Sequence, residues 1–157
     1  MGAEPEIIGH WNHLIDGLQV APQVFYTGVE MAIGERKIPD AKISRVSHKE
    51  AGPFSASREY LRVVRYEHYF DVCGAPFGRG FFVSWWLTAQ KGCLAQIPII
   101  GPMLKPDTYY AIDTGLMFQA AVSDAVHEAL DAVTKAQGVR ALSADERKPI
   151  MKDFFRR

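Results

Sequence analysis

His68, Asp71 and Cys73 stand in the pattern His-x-x-Asp-x-Cys. A thiol, an imidazole and a carboxylate are the raw material of nucleophilic catalysis. The surrounding residues read as a strand over 68–73, and strand side chains alternate between faces, so His68 should point away from Asp71 and Cys73. Asp71 beside Cys73 would raise the thiol pKa by like-charge repulsion, which is opposite to activation. The expectation is a buried structural cysteine and no catalytic residue. A metal site is not expected either. The five histidines (10, 13, 48, 68 and 127) are scattered, no CxxC, HxxxH or HExxH pattern occurs, and His10 with His13 is only a lone pair.

Arg58, Tyr60 and Arg62 alternate along a second predicted strand, with Arg45 and Lys49 expected on the neighbouring one. Guanidinium groups interleaved with an aromatic ring suit phosphate contact and base stacking. The bland explanation is a solvated sheet face whose arginines pair with Glu50, Glu59 and Glu67, or with acidic helices. No RRM-type or helix-turn-helix signature accompanies the stripe, so nucleic-acid binding is disfavoured. Gly74-Ala-Pro-Phe-Gly-Arg-Gly80 has three glycines that could bare backbone donors to an anion. Its spacing matches neither a phosphate loop nor a dinucleotide fingerprint, and no helix comes after it. A turn is the better reading, with Phe77 and Arg79 exposed.

Large apolar residues form the last lead. Phe81, Phe82, Trp85, Trp86 and the Ile-Pro-Ile-Ile run at 97–100 are more bulk than one short sheet readily hides, and exposed apolar surface marks an interface. Near the C-terminus Ile150, Met151, Phe154 and Phe155 form a stripe beside Lys148, Lys152, Arg156 and Arg157. A helix there would be amphipathic and basic, suited to docking on its own domain, on a partner or on anionic lipid.

Periodicity indicates the elements that must position these residues. Residues 5–18 predict a first helix, with Ile8, Trp11, Ile15 and Leu18 at helical spacing. Pro22 opens a second with a stripe of Val24, Phe25, Val29, Ala32 and Ile33, ended by Pro39-Asp40. Strands are expected at 41–50, 55–65, 68–73 and 81–87, separated by glycine and proline punctuation. Thr108 to Asp113 reads as a fifth short strand, because Tyr-Tyr beside Ile is more strand-like than helical. A helix capped by Asp113 or Thr114 should run to Gln137 and stop at Gly138, its core stripe being Met117, Phe118, Ala121, Val122, Ala125, Leu130 and Val133. Ser143-Ala-Asp-Glu146 is a capping box for a final helix.

The expected fold is therefore a single α+β domain: helical over 1–38, an antiparallel meander of four or five strands over 41–88, an apolar loop over 92–106, and helical again over 113–156. At 157 residues, 48% of them hydrophobic and 23% charged, the chain has the composition of a globular domain. The 18 basic and 18 acidic residues cancel, so no overall field draws nucleic acid or anionic lipid. Their distribution is uneven: residues 41–91 are basic and the flanking helical segments 1–40 and 92–138 acidic, which suits pairing between layers of one fold.

Two cysteines make no disulfide framework, and MGAEPEIIG has neither the basic flank nor the apolar run of a secretion signal. Residues 93–104 are too short and too rich in proline to cross a bilayer as a helix. A cytoplasmic location is expected, at the inner membrane surface if the apolar loop touches lipid.

The segments REYLRV, FDVCGAPFG, FFVSWW and TYYAIDTGLMFQ, with the ending KAQGVR, resemble small bacterial proteins that carry no assigned activity. The resemblance covers roughly residues 55–155 and implies only a bacterial or phage origin. Taken together, the residues predict a non-enzymatic interaction module without a cofactor. It would bind a protein partner or self-associate through Phe77, Phe82, Trp86, Ile99 and Ile100. Peripheral membrane association through 93–104 and the basic C-terminal segment is the first alternative. Phosphate-ligand or nucleic-acid binding by Arg58, Tyr60 and Arg62 is the second.

Overall fold

A computed structural model describes residues 5–49, 56–90 and 108–153. Six strands form one antiparallel sheet: β1 (Glu6–Asp16), β2 (Lys42–Lys49), β3 (Ser57–Arg65), β4 (His68–Phe77), β5 (Gly80–Ala89) and the two-residue β6 (Ile150–Met151). Helix α1 (Pro22–Arg36) links β1 to β2, and α2 (Tyr109–Ala136) comes after β5 in the chain. The spatial order is β2-β3-β4-β5-β1-β6. The meander β2 to β5 grows one neighbour at a time, and β1 closes on its far side by pairing with β5. The fold is α+β, as the sequence predicts, with six strands where four or five are expected.

The extra strands come from segments whose periodicity points elsewhere. Residues 6–16 form β1 and not a helix. Ile8, Trp11, Ile15 and Leu18 are all buried, as their spacing requires. Strand geometry meets that demand because an irregularity between Ile7 and Gly9 shifts the register, and Gly17, at φ +79°, turns the chain before Leu18. Ten residues of β1 have partners on β5, a ladder that outweighs local propensity.

The capping box forms as expected: Glu146 N–H donates to Ser143 Oγ at 3.2 Å, and Ser143 N–H to Glu146 Oε1 at 2.9 Å. It opens only a 3-10 turn, Asp145–Arg147, because Pro149 forces Lys148 into an extended conformation. Ile150 and Met151 then pair with His10 and Gly9 as an edge strand. The helical stripe predicted at the C-terminus is thus absent from 148–153, and Phe154 and Phe155 lie outside the described residues. Thr108 to Asp113 also differs from expectation. Thr108 caps α2 by accepting the Ala111 N–H at 3.2 Å, so Tyr109 and Tyr110 begin a helix.

Both helices pack on one face of the sheet. Leu61, Val63, Phe70, Val72, Phe81, Val83, Trp85 and Leu87 point to that face and are almost fully buried. From α1 they meet Phe25, Tyr26, Val29, Ala32 and Ile33, and from α2 Phe118, Val122, Ala125, Val126 and Leu130. Three residues of the predicted stripes are not core: Val24 and Met117 are exposed, and Ala121 is half-buried in the wall of a groove. Gly74 allows the closest approach, since a Cβ there would stand 2.5 Å from the Phe25 ring.

A candidate interaction face and two grooves

The opposite face of the sheet has no described helix packed on it. The register fixes what it displays. Leu14 lies opposite Phe82, Asn12 opposite Ser84 and His10 opposite Trp86; Asp71 lies opposite Trp86, Cys73 opposite Ser84 and Ala75 opposite Phe82. Arg62 faces Asp71, and Tyr60 faces Val46 across the next pair. Phe77, Phe82 and Trp86 therefore share this face. Phe77 is 72% exposed and Leu14 49% exposed, while Phe82 and Trp86 are half-buried. Ile99 and Ile100 lie outside the described residues.

Side-chain pairs hold much of this face in order. The His10 and Trp86 rings stack with centroids 3.6 Å apart, His10 Nδ1 lies 3.1 Å from the Trp85 carbonyl, and Asn12 Nδ2 lies 2.9 Å from His10 Nε2. The Arg62 guanidinium donates twice to the Asp71 carboxylate, at 2.8 and 2.9 Å, and lies over the Tyr69 ring. His48 meets Tyr60 edge to face. The face is aromatic at its centre, and its charges are largely compensated.

Arg58, Tyr60 and Arg62 share this face, as their alternation predicts. Arg45 does not join them. It points to the helical side, where it pairs with Glu30 of α1 at 2.8 Å and with Glu59 at 3.0 Å. Lys49 falls on the same inward parity, and His48, opposite Arg58, completes the stripe instead. Arg62 is committed to Asp71, and the Tyr60 hydroxyl and Cys73 attend Arg58. The stripe is thus a pairing surface more than an array of free cations. Arg45–Glu30 is also the layer-to-layer ion pair that the uneven charge distribution suggests.

His68 and Cys73 point to opposite faces. His68 is buried against Gly115 and Phe118 of α2, and Cys73 is fully buried on the other side. Burial pushes the Cys73 thiol up, with Arg58 and hydrogen bonding from Tyr26, Tyr60 and Ser84 acting against it. The direction agrees with the sequence argument, but the cause is desolvation and not Asp71. Gly78 and Arg79 form the β4–β5 turn, with Gly78 at φ +60° and Arg79 in a bidentate pair with Asp16. Among the described residues, no group of three or more His, Cys, Asp or Glu could hold a metal ion. No helix of the described residues is long and apolar enough to cross a membrane.

Two grooves on the helical side have no counterpart in the sequence reading. One, about 730 Å³, lies between the α1–β2 connection and the first half of α2, lined by Ile38, Pro39, Tyr110, Met117 and Phe118 with Arg36 and Arg65 at its rim. The other, about 610 Å³, is lined by Arg36, Trp85 and the middle of α2, and by Arg147 and Pro149. Here Arg36 pairs with Glu128 at 2.6 Å, and Arg147 holds Asp131 in a bidentate contact at 2.6 and 3.1 Å. Both grooves need segments far apart in the chain, so periodicity carries no signal for them. No family model, curated protein or solved structure matches this chain.

Proposed function

We propose that the protein is a non-enzymatic interaction module that self-associates, or docks a protein partner, through the sheet face bearing Phe77, Phe82, Trp86 and Leu14. The observation that supports this is the apolar exposure on the outer face: among the described residues α1 and α2 pack on the inward face, while Phe77 (72%) and Leu14 (49%) stand exposed on the other beside the half-buried Phe82 and Trp86. Sheets pack face to face when each offers an apolar surface about 10 Å from its mate. Large aromatic residues near the centre of such a patch, ringed by paired polar groups, resemble the anchors that dominate binding free energy.

Sedimentation velocity over a wide concentration range tests the reading. The wild type should move from monomer towards dimer as concentration rises, and Phe77→Asp with Phe82→Asp should remain monomeric. A wild type that stays monomeric and yields no protein partner lost in that variant would defeat it. The competing readings predict other behaviour. Membrane attachment through 93–104 and the C-terminal segment predicts salt-sensitive pelleting with anionic vesicles. Phosphate or nucleic-acid binding at Arg58 and Arg62 predicts a steep salt slope that arginine removal reduces.

A further inference from the structure

The first half of α2 carries apolar side chains that stay open to solvent among the described residues. Tyr110, Leu116 and Met117 are exposed, and Phe118 beside them is almost buried. These four line the 730 Å³ groove, with Ile38 and Pro39 of the α1–β2 connection opposite. The volume falls within the range of roughly 300–1,000 Å³ that small molecules occupy. An α-helix about 10–12 Å across takes up roughly 500 Å³ per turn, so the groove holds little more than one turn of a partner helix. A small molecule is the better fit.

The charges in the lining narrow its chemistry. Arg36, Lys37 and Arg65 line the groove with a single carboxylate, Asp113. Arg36 is neutralised by Glu128 at 2.6 Å. Arg65 donates to the Pro39 carbonyl at 2.9 Å and lies over the Tyr66 ring, and neither partner cancels its charge. The Lys37 ammonium has no ion pair among the described residues. Asp40 accepts the Tyr66 hydroxyl at 2.8 Å and is not part of the lining. Lys37 and Arg65 set against Asp113 leave one positive charge in surplus. That surplus suits a monovalent anion, and the apolar walls suit a hydrocarbon chain.

We propose that this groove binds an amphiphilic carboxylate, a fatty acid of roughly six to ten carbons. Its chain lies against Tyr110, Met117 and Phe118, and Lys37 and Arg65 hold its head group. The site is on the helical side of the sheet and does not depend on the proposed interaction face.

Titrating a ¹⁵N-labelled sample with hexanoate, octanoate and decanoate tests this, read through the Lys37 and Met117 amide signals. Both signals should move saturably. Each buried methylene tightens binding about two- to fourfold, so each step of two carbons should give about four- to sixteenfold. Octanol and octylammonium should bind about fivefold more weakly than octanoate, or less tightly still. Lys37→Glu and Met117→Glu, both at exposed positions, should each weaken octanoate by about tenfold. Val24→Glu, exposed on α1, and Phe77→Asp, on the interaction face, should leave it unchanged. Signals that drift only linearly with all three acids, octylammonium binding as tightly as octanoate, or an unchanged response in both groove variants would overturn the proposal. So would a wild-type dimer that Met117→Glu dissociates, since a second copy would then be the occupant.

Discussion

The imidazole of His10 lies flat against the indole of Trp86, centroids 3.6 Å apart and planes 20° from parallel, across the β1–β5 pair. This contact stiffens an aromatic surface before any partner arrives, because the indole is already confined by its strand neighbour. A preordered aromatic side chain loses less conformational freedom on binding than a free one. Under the interaction reading, Trp86→Ala should weaken dimer formation by about 2 kcal/mol, roughly thirtyfold in Kd. Sedimentation equilibrium measures that change directly. A variant that dimerises like the wild type would remove Trp86 from the interface.

Gly74 accommodates the α1 helix. A methyl group at this position would lie 2.5 Å from Phe25 Cδ1 and 2.9 Å from the Phe81 ring, and neither ring has room to retreat in a fully buried core. Gly74→Ala is expected to lower stability by about 1–3 kcal/mol through overpacking. Urea unfolding followed by far-UV circular dichroism reads this as a lower midpoint.

Tyr26 links the same helix to two strands. Its hydroxyl donates to the Glu59 carbonyl at 2.7 Å and accepts the Gly74 N–H at 2.9 Å. Burial holds its phenol up at about 12. Tyr26→Phe leaves the buried Gly74 N–H without its acceptor and the part-buried Glu59 carbonyl without this donor, and is expected to cost about 1–3 kcal/mol. The measurement is again the urea midpoint, with Tyr109→Phe, at an exposed site, as a control that should not move it.

His127 sets an acid limit. In the unfolded chain its imidazole takes a proton near 6.5, and in the fold only near 4, because burial and Arg147 oppose the charge while Asp131 and Asp124 favour it. Between those values the unfolded state binds more protons, so stability is full above pH 6.5, falls towards pH 4 and is flat below. The loss should be on the order of 3 kcal/mol. His127→Phe should flatten this part of the profile. Glu146, held down at about 2 first by the Arg140 hydrogen bonds and then by Ser143, acts in a lower window, losing its contribution as pH falls from about 4.5 to 2. The two effects are separable by pH.

Cys73 should be inert. Its thiol is fully buried and its pKa raised by that burial, so little thiolate exists near neutral pH. With Cys93→Ser as background, a thiol-reactive dye should label the folded protein far more slowly than the urea-unfolded chain. Equal rates would show that Cys73 is accessible and reopen its role as a nucleophile.

Strand parity and short turns are local properties of the chain, and they were enough to predict the α+β class and the four-strand meander. The same parity put Arg58, Tyr60 and Arg62 on one face and set His68 opposite Cys73. Non-local pairing made a strand of residues 6–16. Their helical spacing of apolar residues is satisfied by a register irregularity and by β5, some seventy residues later. The C-terminal segment shows the same dependence. Its capping box is real, but Pro149 and the open edge of β1 turn the residues beyond it into β6. The groove joining Trp85 to His127 left no trace in either segment alone. It forms only when a helix is laid across a sheet, and hydrogen-bond satisfaction is a property of the assembled interior, not of the residues in order.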